Sequence, residues 1–267
     1  MDFSEINRRG LTLIGCGRMG GAMLTGWLAN GIRPEAVTVI DPGAKPDWAE
    51  RGIRLNQSPP DNPAVLVLAV KPQMMQEVLS DLSAGPETLV LSVAAGVKLA
   101  AYSGALPGVA IIRAMPNTPA AIGQGITAII GSDAATEAQM ALAENLLSVV
   151  GNVVRLTDEG QMDAVTALSG SGPAYVFHMI EALTAAGIAE GLPKALSLQL
   201  ARATVAGAGA LAMNDDTAPS ELREAVTSPG GTTAAGLEQL MDAENGLPPL
   251  MRRTVAAAAR RSQELGA

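Results

Sequence analysis

Short apolar runs alternate with helical patterns through the first half of the chain. Helical patterns such as residues 19–30 separate runs that are almost continuous in Val, Ile and Leu, which is typical of a parallel sheet covered on both faces. The predicted strands cover residues 11–15, 37–41, 64–70, 88–93 and 109–115. We expect the run "ITAII", a helix near 136–149 and the run "NVVRL" to extend the same sheet.

From about residue 158 the pattern changes to long helices rich in Ala and Leu. Strand-like runs disappear, and helical patterns cover residues 175–189, 193–213, 220–226 and 248–265. We therefore expect an α/β domain over residues 1–158 and an all-helical domain over residues 159–267. Stretches such as "ATVAGAGALAM" offer mainly small side chains. The helical domain is therefore expected to complete its core against a partner, as in a dimer.

Composition narrows the class of protein. The formal net charge of -8 argues against a nucleic-acid binder, which needs a basic surface. The start "MDFSEINRRG" lacks the apolar segment of a secretory signal, and prolines and glycines interrupt the long uncharged stretch 114–132. One cysteine and one histidine leave no internal disulfide and no expected metal site. These features favour a soluble, cytoplasmic protein without a membrane segment.

The segment "GCGRMG" follows the first predicted strand and opens the first helix. It has the spacing Gly15-x-Gly17-x-x-Gly20, and Asp41 closes the second predicted strand. This context predicts a Rossmann-type dinucleotide site, in which glycines admit the pyrophosphate and the helix supplies backbone amides. Cys16 occupies a variable position of the loop, where a small space-filling role is favoured over a redox role.

The remaining cofactor residues are expected at the carboxyl ends of the neighbouring strands, which line the crevice of such a sheet. In full, the predicted cofactor-binding residues are Gly15, Cys16, Gly17, Arg18, Met19, Gly20, Asp41, Ala69, Val70, Lys71, Pro72, Ala94, Ala95 and Gly96. We expect the cofactor to be NADH or NADPH. A carboxylate at Asp41 accepts hydrogen bonds from a ribose 2′-hydroxyl and repels a 2′-phosphate, so NADH is favoured unless Lys45 offsets the charge.

The stretch "TSPGGTTAAGLEQL", residues 227–240, begins a helix with bare amides and hydroxyls. Such a helix start suits an anion, because the first amides of a helix lack partners and glycine leaves the backbone accessible. We expect it to bind an anion through Ser228, Gly230, Gly231, Thr232 and Thr233. In the alternative, Ser228 is only an N-cap, with Pro229 in the first helical position.

Three segments together make a resemblance specific. "TALSGSGPAYVFHMIEAL" (166–183), "SPGGTT" (228–233) and "RAMPNTPAAIGQG" (113–125) are similar to pyrroline-5-carboxylate reductases, and the likeness extends to the closing "RRSQEL". It implies a Rossmann domain joined to a helical domain that interleaves with its twin in a homodimer, or in a larger oligomer of dimers. It also implies reduction of 1-pyrroline-5-carboxylate to L-proline, the last step of proline biosynthesis.

The resemblance assigns roles to individual residues as well. It implies that the Ser228–Thr233 loop holds the substrate carboxylate and that Thr233, the catalytic residue, hydrogen-bonds the ring nitrogen. It also implies that Glu159 binds near the substrate. Asp41 departs from the family, because members that use NADPH usually carry a non-acidic residue there.

Two other functions stay open on the sequence alone. A β-hydroxyacid-type dehydrogenase has the same domain plan, but it needs a lysine on the first long helix of the second domain, and residues 175–189 contain none. A non-catalytic dinucleotide-binding regulator would have no need for the bare amides of "SPGGTT". His178, the only histidine, is interpreted as a packed or surface side chain, and Tyr175 as either a crevice or a core residue.

Overall fold

The computed structural model describes residues 2–266, which form two compact units. The first unit contains residues up to 170 together with 259–266, and the second contains residues 171–258. The first unit thus extends beyond the predicted boundary at 158. Side-chain contacts explain this extension, because Glu159 pairs with Arg113, and Asp163 accepts a hydrogen bond from Ser262 at 2.6 Å.

An eight-stranded sheet forms the centre of the first unit, in the order β3-β2-β1-β4-β5-β6-β7-β8. The order reverses between β1 and β4, and this switch point is where α/β sheets bind their ligands. The strands are β1 (Leu11–Ile14), β2 (Val37–Ile40), β3 (Arg54–Leu55), β4 (Val65–Leu68), β5 (Leu89–Ser92), β6 (Ala110–Met115), β7 (Gly125–Gly131) and β8 (Gly151–Arg155).

Helices cover both faces of this sheet, as the continuous apolar strands predict. On β4, Val65 and Val67 join one hydrophobic cluster, whereas Leu66 and Leu68 join the other. The helices of the unit are α1 (Ser4–Arg9), α2 (Arg18–Ala29), α3 (Asp47–Glu50), α4 (Met75–Asp81), α5 (Leu99–Ala105), α6 (Glu137–Ser148) and α7 (Met162–Val165). A π-helical turn, Thr166–Gly170, follows α7.

The expectation of a wholly parallel sheet is wrong at one pair of strands. β7 runs antiparallel to β6, with Met115 opposite Ala128, whereas every other pair of neighbouring strands in the described sheet is parallel. The connection from β6 to β7 holds only a 3-10 turn, Thr118–Ile122, and a parallel crossover needs a longer segment. The two-residue strand β3 was also not predicted, because so short a run carries no readable pattern.

The second unit is helical, as predicted. Its helices are α8 (Gly172–Ala189), α9 (Lys194–Asn214), α10 (Pro219–Ala225), α11 (Thr232–Leu240) and α12 (Leu247–Leu265), whose last turns belong to the first unit. α8 and α9 form a hairpin in which Gly187 lies against Ser197 and Gly191 takes a left-handed φ of 93°. α9 is long and apolar enough to cross a membrane by length and composition alone, which is weak evidence of a span.

The side chains of this second unit are largely exposed. No residue of α8 is buried, and α9 buries only Ser197 and Ala201. Large apolar side chains at the surface of these two helices include Phe177, Leu183, Leu200 and Leu211. An apolar surface of this extent marks an interaction face, which agrees with the expectation that the helical domain completes its core against a partner.

Candidate active site

The three glycines of "GCGRMG" have three different environments. Gly15 takes a φ of 91°, and a Cβ there would come within 2.6 Å of the Ala69 carbonyl oxygen. Gly20 packs its backbone against Gly15. A Cβ on Gly17 would meet nothing within 4 Å, although Gly17 is the N-cap of α2 and no side chain caps that helix. This is the division of roles of a dinucleotide loop: one turn glycine, one open glycine and one packing glycine.

Asp41 follows β2 and faces this loop directly. Its Oδ2 accepts the backbone amide of Cys16 at 2.6 Å, and its Oδ1 accepts the amide of Gly43 at 2.8 Å. Asn56 holds the Asp41 backbone from the other side, since its side chain accepts the Asp41 amide at 2.8 Å and donates to the Asp41 carbonyl. Sequence reasoning found Asp41 but missed Asn56, whose positive φ of 51° is one that asparagine tolerates well.

The Cys16 thiol is half-buried beside this carboxylate. Burial, and secondarily the charge of Asp41, raises the pKa of Cys16 to about 11. The thiol is therefore protonated near neutral pH and is a poor nucleophile. This agrees with a space-filling role and gives no support to redox chemistry at this position.

The carboxyl ends of β4 and β5 carry the other candidate cofactor residues. After β4, Lys71 precedes a 3-10 turn, Pro72–Met74, and its carbonyl accepts the amide of Met74. No described residue donates a hydrogen bond to the Val70 carbonyl, which leaves it for a ligand. After β5, Ala94 is buried, and Gly96 takes a φ of 78° in the loop that leads to α5.

Buried side chains hold this second loop at its beginning. The Ser92 hydroxyl contacts the Tyr102 hydroxyl at 2.6 Å and accepts the amide of Ala94 at 3.3 Å. Burial raises the pKa of Tyr102 to about 12, so the phenol is neutral at ordinary pH. Neither residue was predicted; the only sequence signal is a tyrosine ten positions after a serine that ends a buried strand.

Glu159 lies at the end of the same loop. Its Oε1 accepts the backbone amide of Leu99 at 2.7 Å and a hydrogen bond from Arg113 Nη1 at 2.7 Å. The Arg113 side chain is only 5% exposed and that of Glu159 is 28% exposed. Arg113 was missed as a site residue, although a charged residue inside the apolar run "VAIIRAM" signals a buried partner. Glu159 thus has two partners within the first unit.

The helix start predicted from "SPGGTT" belongs to the second unit. α11 begins at Thr232, with Gly231 as its N-cap and no side-chain cap. The alternative in which Ser228 is the N-cap is therefore wrong, because the chain turns first through Gly230, whose φ is 70°. Within the described chain, the amides of Thr232, Thr233 and Ala234 have no hydrogen-bond partner; the first such bond is from Ala235 to Gly231.

The structure bears on the remaining candidates to different extents. His178 has a side chain that is 82% exposed and bonds Glu181 at 3.0 Å, which confirms the surface interpretation. Tyr175 is half-buried on α8. α8 contains no lysine, and Lys194 is the first residue of α9, which disfavours the β-hydroxyacid dehydrogenase alternative. The predicted cofactor residues and Glu159 lie in the first unit, and the residues from Ser228 to Thr233 lie in the second.

Comparison with known proteins identifies the family. A reductase from Synechocystis sp. named pyrroline-5-carboxylate reductase is 44% identical to this chain over 96% of its length and 98% of the relative's. The chain belongs to the pyrroline-5-carboxylate reductase family. Residues 159–265 match the profile described as pyrroline-5-carboxylate reductase dimerisation, and residues 10–96 match NADP oxidoreductase coenzyme F420-dependent.

Solved structures of the family have the same fold along the whole chain. The pyrroline-5-carboxylate reductase of Coxiella burnetii aligns with a TM-score of 0.88 and 34% identity, covering 97% of this chain and 99% of the other. The Plasmodium falciparum pyrroline carboxylate reductase with NADP bound aligns with a TM-score of 0.83 and 28% identity, covering 98% and 99%. These matches confirm the predicted fold class, a Rossmann-type domain followed by a helical dimerisation domain.

Proposed function

We propose that this protein reduces 1-pyrroline-5-carboxylate to L-proline with NADH or NADPH, the last step of proline biosynthesis. Family membership supports the reaction, and the start of α11 is the observation that carries the substrate assignment. Its three unpartnered amides lie beside the hydroxyls of Thr232 and Thr233. An amide cluster at a helix N-terminus is a good site for a carboxylate.

The glycine loop fits a dinucleotide. The open space at Gly17 and the uncapped start of α2 leave room and amide donors for a pyrophosphate. The nicotinamide would lie near the unpartnered Val70 carbonyl and the loop containing Ala94, Ala95 and Gly96. When bound, the reduced cofactor supplies a hydride for the C=N carbon.

The protein's own part in this chemistry is positioning and hydrogen bonding. Protonation of the ring nitrogen makes the carbon of the C=N bond electrophilic before the hydride arrives. Reduction then leaves an ordinary secondary amine. Ser228, Gly230, Gly231 and Thr232 would fix the carboxylate, which orients the ring. Thr233 would hydrogen-bond the ring nitrogen, and no strong acid or base is needed.

Asp41 supports a preference for NADH. Its carboxylate accepts two backbone amides at the end of β2, and each oxygen keeps a lone pair for a ribose hydroxyl. A 2′-phosphate at the same place would meet a negative charge. The first measurement compares NADH with NADPH in the same assay.

We further propose a homodimer, or a larger oligomer of dimers, in the cytoplasm. The exposed apolar side chains of α8 and α9 support an interface, and residues 159–265 match a dimerisation profile. The formal net charge of -8 gives no support to a nucleic-acid ligand. Small molecules are then its only ligands, without nucleic acid or membrane.

Oxidation of NADH and of NADPH by the purified protein with 1-pyrroline-5-carboxylate tests the reaction. Turnover with formation of proline is expected, with the higher kcat/KM for NADH. Binding of both dinucleotides without any turnover would overturn the reductase proposal and favour the dinucleotide-binding regulator. Turnover with NADPH alone would overturn the assignment of Asp41.

A further inference from the structure

We propose that Glu159 and Arg113 form a positioning pair that holds the cofactor loop between β5 and α5, and that Glu159 acts on the dinucleotide site rather than on the substrate. This inference rests on the proposed function, because the loop, residues 93–98, contains Ala94, Ala95 and Gly96. None of the three side chains has a polar group, so their backbone must be placed by residues outside the loop.

Side chains from outside the loop tether it at both ends. At its start, the Ser92 hydroxyl accepts the Ala94 amide and meets the hydroxyl of Tyr102. At its end, Glu159 accepts the amide of Leu99, the first residue of α5. Lys98, the N-cap of α5, provides no side-chain hydrogen bond. Glu159 therefore caps this helix from a point 60 positions along the chain.

Arg113 explains why the tether needs a carboxylate. Its nearly buried guanidinium extends from strand β6 and shares Oε1 of Glu159 with the Leu99 amide. A buried cation without its partner is strongly unfavourable, so the pair fixes Glu159 in one place. Glu159 in turn fixes the start of α5. The chain of contacts runs from β6 through two side chains to the first backbone amide of α5.

The backbone of the loop has little freedom to compensate for loss of the tether. Gly96 takes a left-handed φ of 78°, and it lies against the backbone of Leu265 and Gly266 at the end of α12. A shift of α5 would therefore move the peptide groups of Ala94 to Gly96 together. Since misplacement by about 1 Å can be costly at a reacting centre, dinucleotide binding should report the state of this tether.

Four variants test the proposal: Glu159→Ala, Glu159→Gln, Arg113→Met and the double variant Arg113→Met/Glu159→Gln. Glutamine keeps an oxygen for the Leu99 amide and loses the charge, whereas alanine loses both. Glu144→Gln is the matched control, because Glu144 pairs with Arg155 at the surface of the same unit. The readouts are the Kd of NADH and NADPH by fluorescence titration, hydrogen exchange of the Leu99 amide, and the KM for 1-pyrroline-5-carboxylate.

We expect Glu159→Ala to weaken dinucleotide binding roughly tenfold and to accelerate exchange at Leu99, with the KM of the imine little changed. Glu159→Gln and Arg113→Met each remove one charge of the pair, and each should weaken dinucleotide binding. The double variant should recover most of the lost affinity, because it leaves no unpaired buried charge. A raised KM for the imine with unchanged dinucleotide affinity, or no rescue in the double variant, would overturn the proposal. Binding and exchange need no turnover, so an inactive wild-type protein would contradict the proposed function alone.

Discussion

Cys16 donates its backbone amide to Oδ2 of Asp41 across 2.6 Å, so the acidic residue after β2 is bonded to the glycine loop. The proposed function therefore gives one carboxylate two tasks, which are holding the loop and accepting hydrogen bonds from the ribose. The two tasks make different demands on the side chain. An oxygen acceptor suffices for the Cys16 amide, whereas discrimination against a 2′-phosphate requires the negative charge.

The variant Asp41→Asn separates the two tasks. Its amide oxygen can still accept the Cys16 amide, so the loop and the fold should persist. Removal of the charge should raise the ratio of kcat/KM with NADPH to kcat/KM with NADH by about tenfold. The repulsion between two like charges near a protein surface is large enough for a change of this size or more. Asp47→Asn, an exposed carboxylate on α3, is the control for net charge. An unchanged ratio would remove Asp41 from cofactor selection.

The sequence predicted most of the sheet because buried parallel strands are continuous in apolar residues. It did not predict the direction of β7, because the run "ITAII" has the same composition whichever way it runs. Only the shortness of the connection after Met115 carries that information. The strand β3 was missed because two residues, Arg54 and Leu55, show no periodicity.

The candidate site was predictable where local backbone chemistry defines it. Gly15, Gly17 and Gly20 are recognisable because their spacing follows from one turn and one helix start. The contacts of Glu159 were not predictable, because its partners Leu99 and Arg113 are distant in sequence and meet only when β6 and α5 are placed side by side. Pairing of this kind depends on the tertiary fold.

The raised pKa of Cys16 predicts slow alkylation of the folded protein. Thiolate is the reactive form, so the rate with iodoacetamide should stay low at pH 8 and rise with a midpoint near pH 11. In the variant Asp41→Asn the midpoint should move to lower pH, because a neighbouring negative charge is removed. Mass spectrometry of the alkylated peptide gives the rate at each pH. A midpoint near 9 in the wild-type protein would contradict the buried environment of the thiol.

The open space at Gly17 predicts a binding defect without a folding defect. A Cβ on Gly17 contacts nothing in the protein, so Gly17→Ala should leave the melting temperature nearly unchanged. In the proposed dinucleotide site the added methyl group would lie where the pyrophosphate approaches, so dinucleotide affinity should fall roughly tenfold or more. Gly104→Ala is the control, because Gly104 on α5 also has open space around it. Calorimetric titration with NADH measures the difference, and equal affinity in the two variants would contradict the loop assignment.

Two buried threonines predict opposite effects on stability. Thr38 on β2 is fully buried, and its hydroxyl has no hydrogen-bond partner among the described residues. Thr88 is equally buried, but its hydroxyl donates to the Pro63 carbonyl at 2.8 Å. Thr38→Val should raise the free energy of unfolding by about 1 kcal/mol, whereas Thr88→Val should lower it by about 1 kcal/mol. Urea denaturation of the two variants checks the signs, and destabilisation of both would indicate that water satisfies Thr38.

Thr233 is the only side chain to which the proposed mechanism assigns a bond with a reacting atom. It is the second residue of α11. In the proposed mechanism the backbone amides there bind the carboxylate whatever the side chain is. Thr233→Ala should therefore lower kcat by about one to two orders of magnitude and change the KM of the imine much less, because the lost hydrogen bond concerns the nitrogen. Thr254→Ala provides the control, since its hydroxyl bonds only the Leu250 carbonyl within α12. Steady-state kinetics at saturating NADH separate the two constants. A kcat close to that of the wild-type protein would exclude Thr233 from the chemistry and leave the amides of α11 to orient the substrate alone.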